Sequence, residues 1–207
     1  MPKVLVIYYS MYGNCFRMAT EVAAGAREAP EATVMLKTVP ELMPEQVIRS
    51  SPAIQQAKAI QKDVPVATKQ DLAEADAVIV GSPTRFGNMC AQMRNFWDQT
   101  GDLWFQGALI GKPAGVFCST ASLHGGQETT LTSMMLTLLH HGMIIVGVPY
   151  SVGELLTTTA GGTPYGPSHT AGPKGDWPLT DQEQAICRAL GRRVAQVAAD
   201  LVRGRRQ

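Results

Sequence analysis

The sequence predicts an α/β fold: a doubly wound, five-stranded parallel sheet with helices on both faces and strand order 2-1-3-4-5. Two observations carry that expectation. Short, nearly continuous apolar runs recur along the chain, and each opens toward a segment with helical spacing, the pattern of strands buried on both faces. The first run, Val4-Leu5-Val6-Ile7-Tyr8-Tyr9, also passes through a small polar loop, Ser10-Met11-Tyr12-Gly13-Asn14, straight into a helical segment that starts near Cys15.

Taken in order, strands are expected at residues 4–9, 33–37, 77–80, 114–118 and 143–146, and helices at 16–27, 70–75, 89–100, 129–141 and 181–202. The last helix has a capping box, with Thr180 as N-cap, Glu183 three residues on and Pro178 just upstream. This is the flavodoxin-like arrangement. With 207 residues, 45% of them apolar, a single domain over 1–207 is expected. Two excursions exceed a minimal version of that fold. Residues 39–66 carry Pro40, Pro44, Pro52 and Pro65 around a helix-compatible 53–61 and read as a surface or subunit-contact element. Residues 157–178, rich in Gly, Pro and Thr, hold Tyr165, His169 and Trp177 and read as functional.

Eighteen basic against seventeen acidic residues leave a charge of +1, which supplies no field to draw in nucleic acid or an anionic membrane. The apolar N-terminal run is too short for membrane insertion. Cys15, Cys90, Cys118 and Cys187 are scattered without metal-ligand spacing, which fits a reduced, cytoplasmic protein whose cysteines pack as small apolar residues and whose site holds no metal.

The loop after the first strand is suited to a phosphate. A helix N-terminus presents backbone N–H groups without partners and a partial positive charge, so hydroxyls of Ser10 and Tyr12 complete an anion site without Arg17, and Gly13 lets the backbone bend closely. The loop is neither a dinucleotide fingerprint nor a Walker motif. In an open parallel sheet, ligands bind outside the carboxyl ends of the strands at the switch point. That brings in two more loops, Ser82-Pro83-Thr84-Arg85-Phe86-Gly87-Asn88 and Ser119-Thr120-Ala121-Ser122-Leu123-His124-Gly125-Gly126-Gln127-Glu128.

Several runs together resemble the WrbA-type, or type IV, NAD(P)H:quinone oxidoreductases: Gly81-Ser82-Pro83-Thr84-Arg85-Phe86-Gly87-Asn88-Met89, Asp98-Gln99-Thr100-Gly101, His140-His141-Gly142-Met143 and Gly161-Gly162-Thr163-Pro164-Tyr165-Gly166. The resemblance covers almost the whole chain. It implies an FMN protein of flavodoxin-like fold that takes NADH or NADPH and a quinone in a two-electron, ping-pong cycle, assembled as a homotetramer with sites at subunit contacts. Carried over, Ser10, Met11, Tyr12, Gly13, Asn14 and Cys15 bind the FMN phosphate, and Tyr12 also lies near the nicotinamide. Pro83, Thr84, Arg85, Phe86 and Gly87 flank the isoalloxazine, as do Ser119, Thr120, Ala121, Ser122, Gly125, Gly126 and His140. Arg85 and His140 are the candidate catalytic residues, and Trp104 walls the substrate side. Asn14, Cys118 and the Leu123-His124 enlargement depart from the commoner family pattern.

Plainer roles compete for some of these. His141 reads as a helix-end residue that complements the dipole, Trp97 as core by its spacing from Met93, and Arg192, Arg193, Arg203, Arg205 and Arg206 as the solvated end of the last helix. Two other functions are weighed against the oxidoreductase. A one-electron flavodoxin is opposed by the near-zero charge and the second excursion, and a regulatory binding protein by the lack of a basic face or helix-turn-helix pattern.

Overall fold

The protein is described by a computed structural model over residues 1–30 and 32–205, so Arg206 lies outside the described residues. Strands β1 (Lys3–Tyr8), β2 (Thr33–Thr38), β3 (Ala77–Arg85), β5 (Pro113–Thr120) and β6 (Ile144–Ile145) lie side by side in the order β2-β1-β3-β5-β6. These are the five anticipated strands in the anticipated order, each pairing parallel with its neighbour. The strand count is corrected from five to seven among the described residues: β4 (Asn88–Met89) folds back antiparallel on β3, and β7 (Ser168–Thr170) pairs parallel with β5.

Alternation along the buried strands builds a core on each face. Leu5, Ile7, Val78, Val80, Ala114 and Val116 face one side and pack with Met93, Phe96 and Trp97 of α5 (Ala91–Asp98) and Leu131, Met134 and Leu138 of α7 (Gln127–His140). Val4, Val6, Tyr8, Ile79 and Phe117 face the other, against α1 (Asn14–Arg27) and α9 (Asp181–Gly204). The helix expected from residue 89 starts at Ala91 instead, because Asn88 and Met89 are drawn into the hairpin with β3. After α5 the chain makes a short separate turn, α6 (Gly101–Phe105).

The two excursions have different structures. The first forms α2 (Glu45–Ser50) and α3 (Pro52–Ala59), with Ser51 capping α3 through Ile54 N–H, before α4 (Lys69–Glu74) leads into β3. The second divides the edge of the sheet. β6 covers the start of β5 at Pro113 and Ala114, the chain leaves through α8 (Glu154–Thr157), and β7 returns to cover the end of β5 at Cys118, Ser119 and Thr120. Residues 157–178 therefore supply sheet as well as loop.

One buried carboxylate fastens that return. Glu183, fully buried in the first turn of α9, accepts from the backbone N–H groups of Gly161 (2.9 Å), Thr170 (3.0 Å) and Thr180 (2.8 Å), and pairs with Nδ1 of His169 at 3.0 Å. The capping box read from sequence is present, and the same glutamate also pins β7 to the helix.

Candidate functional site

The first loop leaves β1 at Tyr8 and turns at Gly13, whose φ of 88° is a left-handed conformation that glycine adopts freely. Gly13 is the N-cap of α1, which has neither a side-chain cap nor an acidic residue in its first turn. Its leading N–H groups are therefore left open for an anion. Asn14 braces this turn: its Nδ2 donates to the Gly175 carbonyl at 2.9 Å, and its Oδ1 accepts from Arg17 at 2.9 Å.

The second loop is mostly strand. β3 continues through Ser82, Pro83 and Thr84 to Arg85, and only Phe86 and Gly87 turn, with φ of 54° and 77°. Positive φ at both positions matches the tight hairpin that pairs Arg85 with Asn88. Holding a phenylalanine there costs on the order of 1–2 kcal/mol, and its ring is left fully exposed. Arg85 folds inward, with Nη1 donating to the Thr84 carbonyl at 2.7 Å and Nη2 reaching Met11 Sδ at 3.7 Å.

In the third loop, Gly125 N–H donates to the Ser122 carbonyl at 3.0 Å and Gly126, φ 94°, caps α7 without a side-chain bond. A Cβ on Gly126 would lie 3.1 Å from the Gly87 Cα, so the second and third loops touch at glycines.

These loops enclose a crevice of about 330 Å³ lined by Ser10, Met11, Tyr12, Asn14, Cys15, Pro83, Thr84, Arg85, Ser119, Thr120 and Ala121. Five further lining residues, Ala171, Gly172, Pro173, Lys174 and Gly175, were not anticipated. Their signal in the sequence is the Gly- and Pro-rich composition of this part of the second excursion. Trp177 in fact supports this run from behind: Gly172 has φ 78°, and a Cβ there would fall 2.5 Å from the indole. The crevice carries two cations, Arg85 and Lys174, and no carboxylate, which suits a phosphate-bearing ligand.

Other candidates lie elsewhere. Gly13, Phe86, Gly87, Gly125 and Gly126 shape the turns without lining the crevice, and Ser122 faces an adjacent apolar cavity with Leu123 and Trp177. His140 and Trp104 line a separate cavity of about 530 Å³ between α5, α6 and α7, together with Arg94, Trp97 and Thr137. α7 begins beside the crevice loops and ends at His140, and its 14 residues span roughly 20 Å, so within one chain His140 is far from Ser10. His141 is buried with Nε2 3.0 Å from Thr100 Oγ1 and its ring 5.3 Å from that of buried Trp97, a packing role for both.

All four cysteines are buried, and burial pushes the thiols of Cys15, Cys90 and Cys118 up. Cys118 donates to the Gln127 carbonyl at 3.4 Å. None has the environment of a reactive thiolate. Among the described residues no cluster of His, Cys, Asp or Glu could hold a metal, and no helix is long and apolar enough to cross a membrane.

A doubly wound sheet with an open helix N-terminus at its switch point defines a flavodoxin-like mononucleotide-binding protein. More narrowly, the chain belongs to the NADPH-dependent FMN reductase family, whose model matches residues 2–155. It is 52% identical to a NAD(P)H dehydrogenase (quinone) of Aromatoleum aromaticum over 98% of this chain and 99% of that one. It is 50% identical to a NAD(P)H dehydrogenase (quinone) of Solidesulfovibrio magneticus over 96% and 98%. Among solved structures it superposes on a flavodoxin, WrbA-like protein of Agrobacterium tumefaciens with TM-score 0.64 and 28% identity, covering 97% of this chain and 99% of that one.

Proposed function

We propose that the chain is an FMN-dependent NAD(P)H:quinone oxidoreductase, working in the cytoplasm as a single FMN-binding domain over residues 1–207. The observation that carries this reading is the uncapped N-terminus of α1, opening with Arg85 and Lys174 onto a crevice without carboxylates. The full-length likeness to quinone dehydrogenases supplies the reaction.

Bound FMN supplies two-electron transfer between a nicotinamide and a quinone. Ser10, Tyr12 and the N–H groups at the start of α1 hold its phosphate, and the β3–β4 hairpin and the 119–121 backbone flank its ring. Arg85 and the backbone of residues 119–121 would place positive charge where a reduced flavin carries its negative charge. One phosphate-binding loop and one crevice suit a mononucleotide, so FMN and not FAD is the cofactor.

The distance of His140 and Trp104 from the crevice, together with the uncovered apolar side chains Phe86, Phe105, Leu136 and Leu139, favours a homotetramer in which a neighbouring copy completes each site. Tyr12, half-exposed at the crevice mouth, then meets the substrate from one copy and Trp104 from the next.

Steady-state kinetics test the reading. The purified protein should release one FMN per chain and give parallel initial-rate lines when NADH or NADPH is varied at several quinone concentrations. Release of FAD, or absence of quinone-dependent turnover with either nicotinamide, would refute it.

A further inference from the structure

We infer that Gln61 and Lys58, in and just after α3 of the first excursion, are positioning residues for the phosphate loop. The inference rests on reading residues 10–15 as a phosphate site. Gln61 is buried, and its amide donates both to the Ala57 carbonyl, at 2.6 Å, and to the Ser10 carbonyl, at 3.4 Å. Lys58 Nζ reaches the same Ser10 carbonyl at 3.4 Å. Its own position is fixed by Glu41 at 2.5 Å and by the ring of Tyr9, whose centroid lies 4.6 Å away. Glu41 is in turn held by the buried Tyr9 hydroxyl and the N–H of Met43. The α3 segment also backs the turn itself, with Ile60 Cδ1 and Ala57 Cβ 3.5 and 3.8 Å from where a Cβ on Gly13 would stand.

The consequence follows from peptide geometry. The Ser10 carbonyl and the Met11 N–H belong to one trans peptide unit, so they point in opposite directions. Two donors outside the crevice hold the carbonyl outward. The Met11 N–H is thereby aimed to the other side, where Met11 lines the crevice, and among the described residues it has no protein acceptor. A peptide held from behind in this way is ready for an anion without reorganising when the ligand arrives. Gln61 and Lys58 touch no ligand themselves. They set one of the donors that does.

The test compares FMN with riboflavin, which lacks the phosphate, by fluorescence titration of full-length apoprotein. Wild type should bind FMN more tightly than riboflavin. Gln61→Met, unbranched but without a donor, should reduce that preference about three- to tenfold, the order of one hydrogen bond, through weaker FMN binding alone. Gln61→Asn, which keeps the amide but is one carbon too short for Ser10, should do the same and serves if the first variant does not fold. Equal weakening of both ligands, or none of either, overturns the inference while leaving the phosphate reading intact. A wild type without preference for FMN overturns both.

Discussion

At the residue scale, the site depends on single groups whose removal has a defined sign. Ser10 is buried at the lip of the open helix terminus, and replacing it with alanine should weaken FMN binding by about 1 kcal/mol, the order of one typical hydrogen bond. Equilibrium titration measures this directly, and unchanged affinity would place the phosphate elsewhere. Glu183 makes a stronger case for structure. Burial raises its carboxyl pKa, but the bonds from His169 and from the N–H groups of Thr180 and Thr170 outweigh burial, so the carboxyl lies below its ordinary value. Its stabilisation is thus present above the unfolded pKa of about 4.3 and is lost as pH falls through the lower folded value. Glu183→Gln should therefore lower the urea midpoint at pH 7, with a gap to wild type that narrows below about pH 4. A gap of the same size at both pH values would mean that ionisation contributes nothing there.

At the element scale, the packing of α1 on α9 sets two opposing effects against each other. Gly191 sits inside α9, where alanine would favour the helix by about 1 kcal/mol. A Cβ at that position, however, would lie 2.0 Å from the Val22 carbonyl oxygen, and one on Gly25 would lie 2.0 Å from that of Arg188. Relieving such overlap forces the helices apart, and overpacking of this kind costs about 1–3 kcal/mol. Gly191→Ala should lower the denaturant midpoint despite the better helix former, and a raised midpoint would show that the two helices separate freely. These glycines mark what sequence could not convey. The strands were legible because burial on both faces leaves continuous apolar runs, and the end of α9 near Thr180 was legible because its cap is local chemistry. A glycine within a helical pattern names no partner, and the three contacts of Glu183 beyond its cap depend on Gly161, Thr170 and His169 arriving from the second excursion. The same holds for the crevice: its first three walls were readable from loops that follow strands, whereas residues 171–175 reach it only because β7 rejoins the sheet edge.

At the scale of the whole molecule, the open question is how Trp104 can wall a site that its own chain holds at a distance. The indole is 56% exposed, beside Phe105 on a short helix, and lines a cavity that shares no residue with the crevice. Stacking against a nicotinamide or quinone contributes on the order of 1 kcal/mol, so Trp104→Ala should raise the Michaelis constant for both substrates several-fold while FMN stays bound. A second variant, Ser10→Asp, sets a carboxylate against the phosphate and should leave the chain without FMN. If crevice and wall come from different copies, mixed oligomers of these two variants contain a fraction of sites with an intact crevice from the Trp104→Ala chain and an intact indole from the Ser10→Asp chain. Dissociated, mixed in equal amounts and reassembled, they should turn over low concentrations of quinone faster than the mean of the two parents. A rate equal to that mean, or an unmixed Trp104→Ala variant with unaltered Michaelis constants, would confine each site to one chain and remove the indole from the substrate wall.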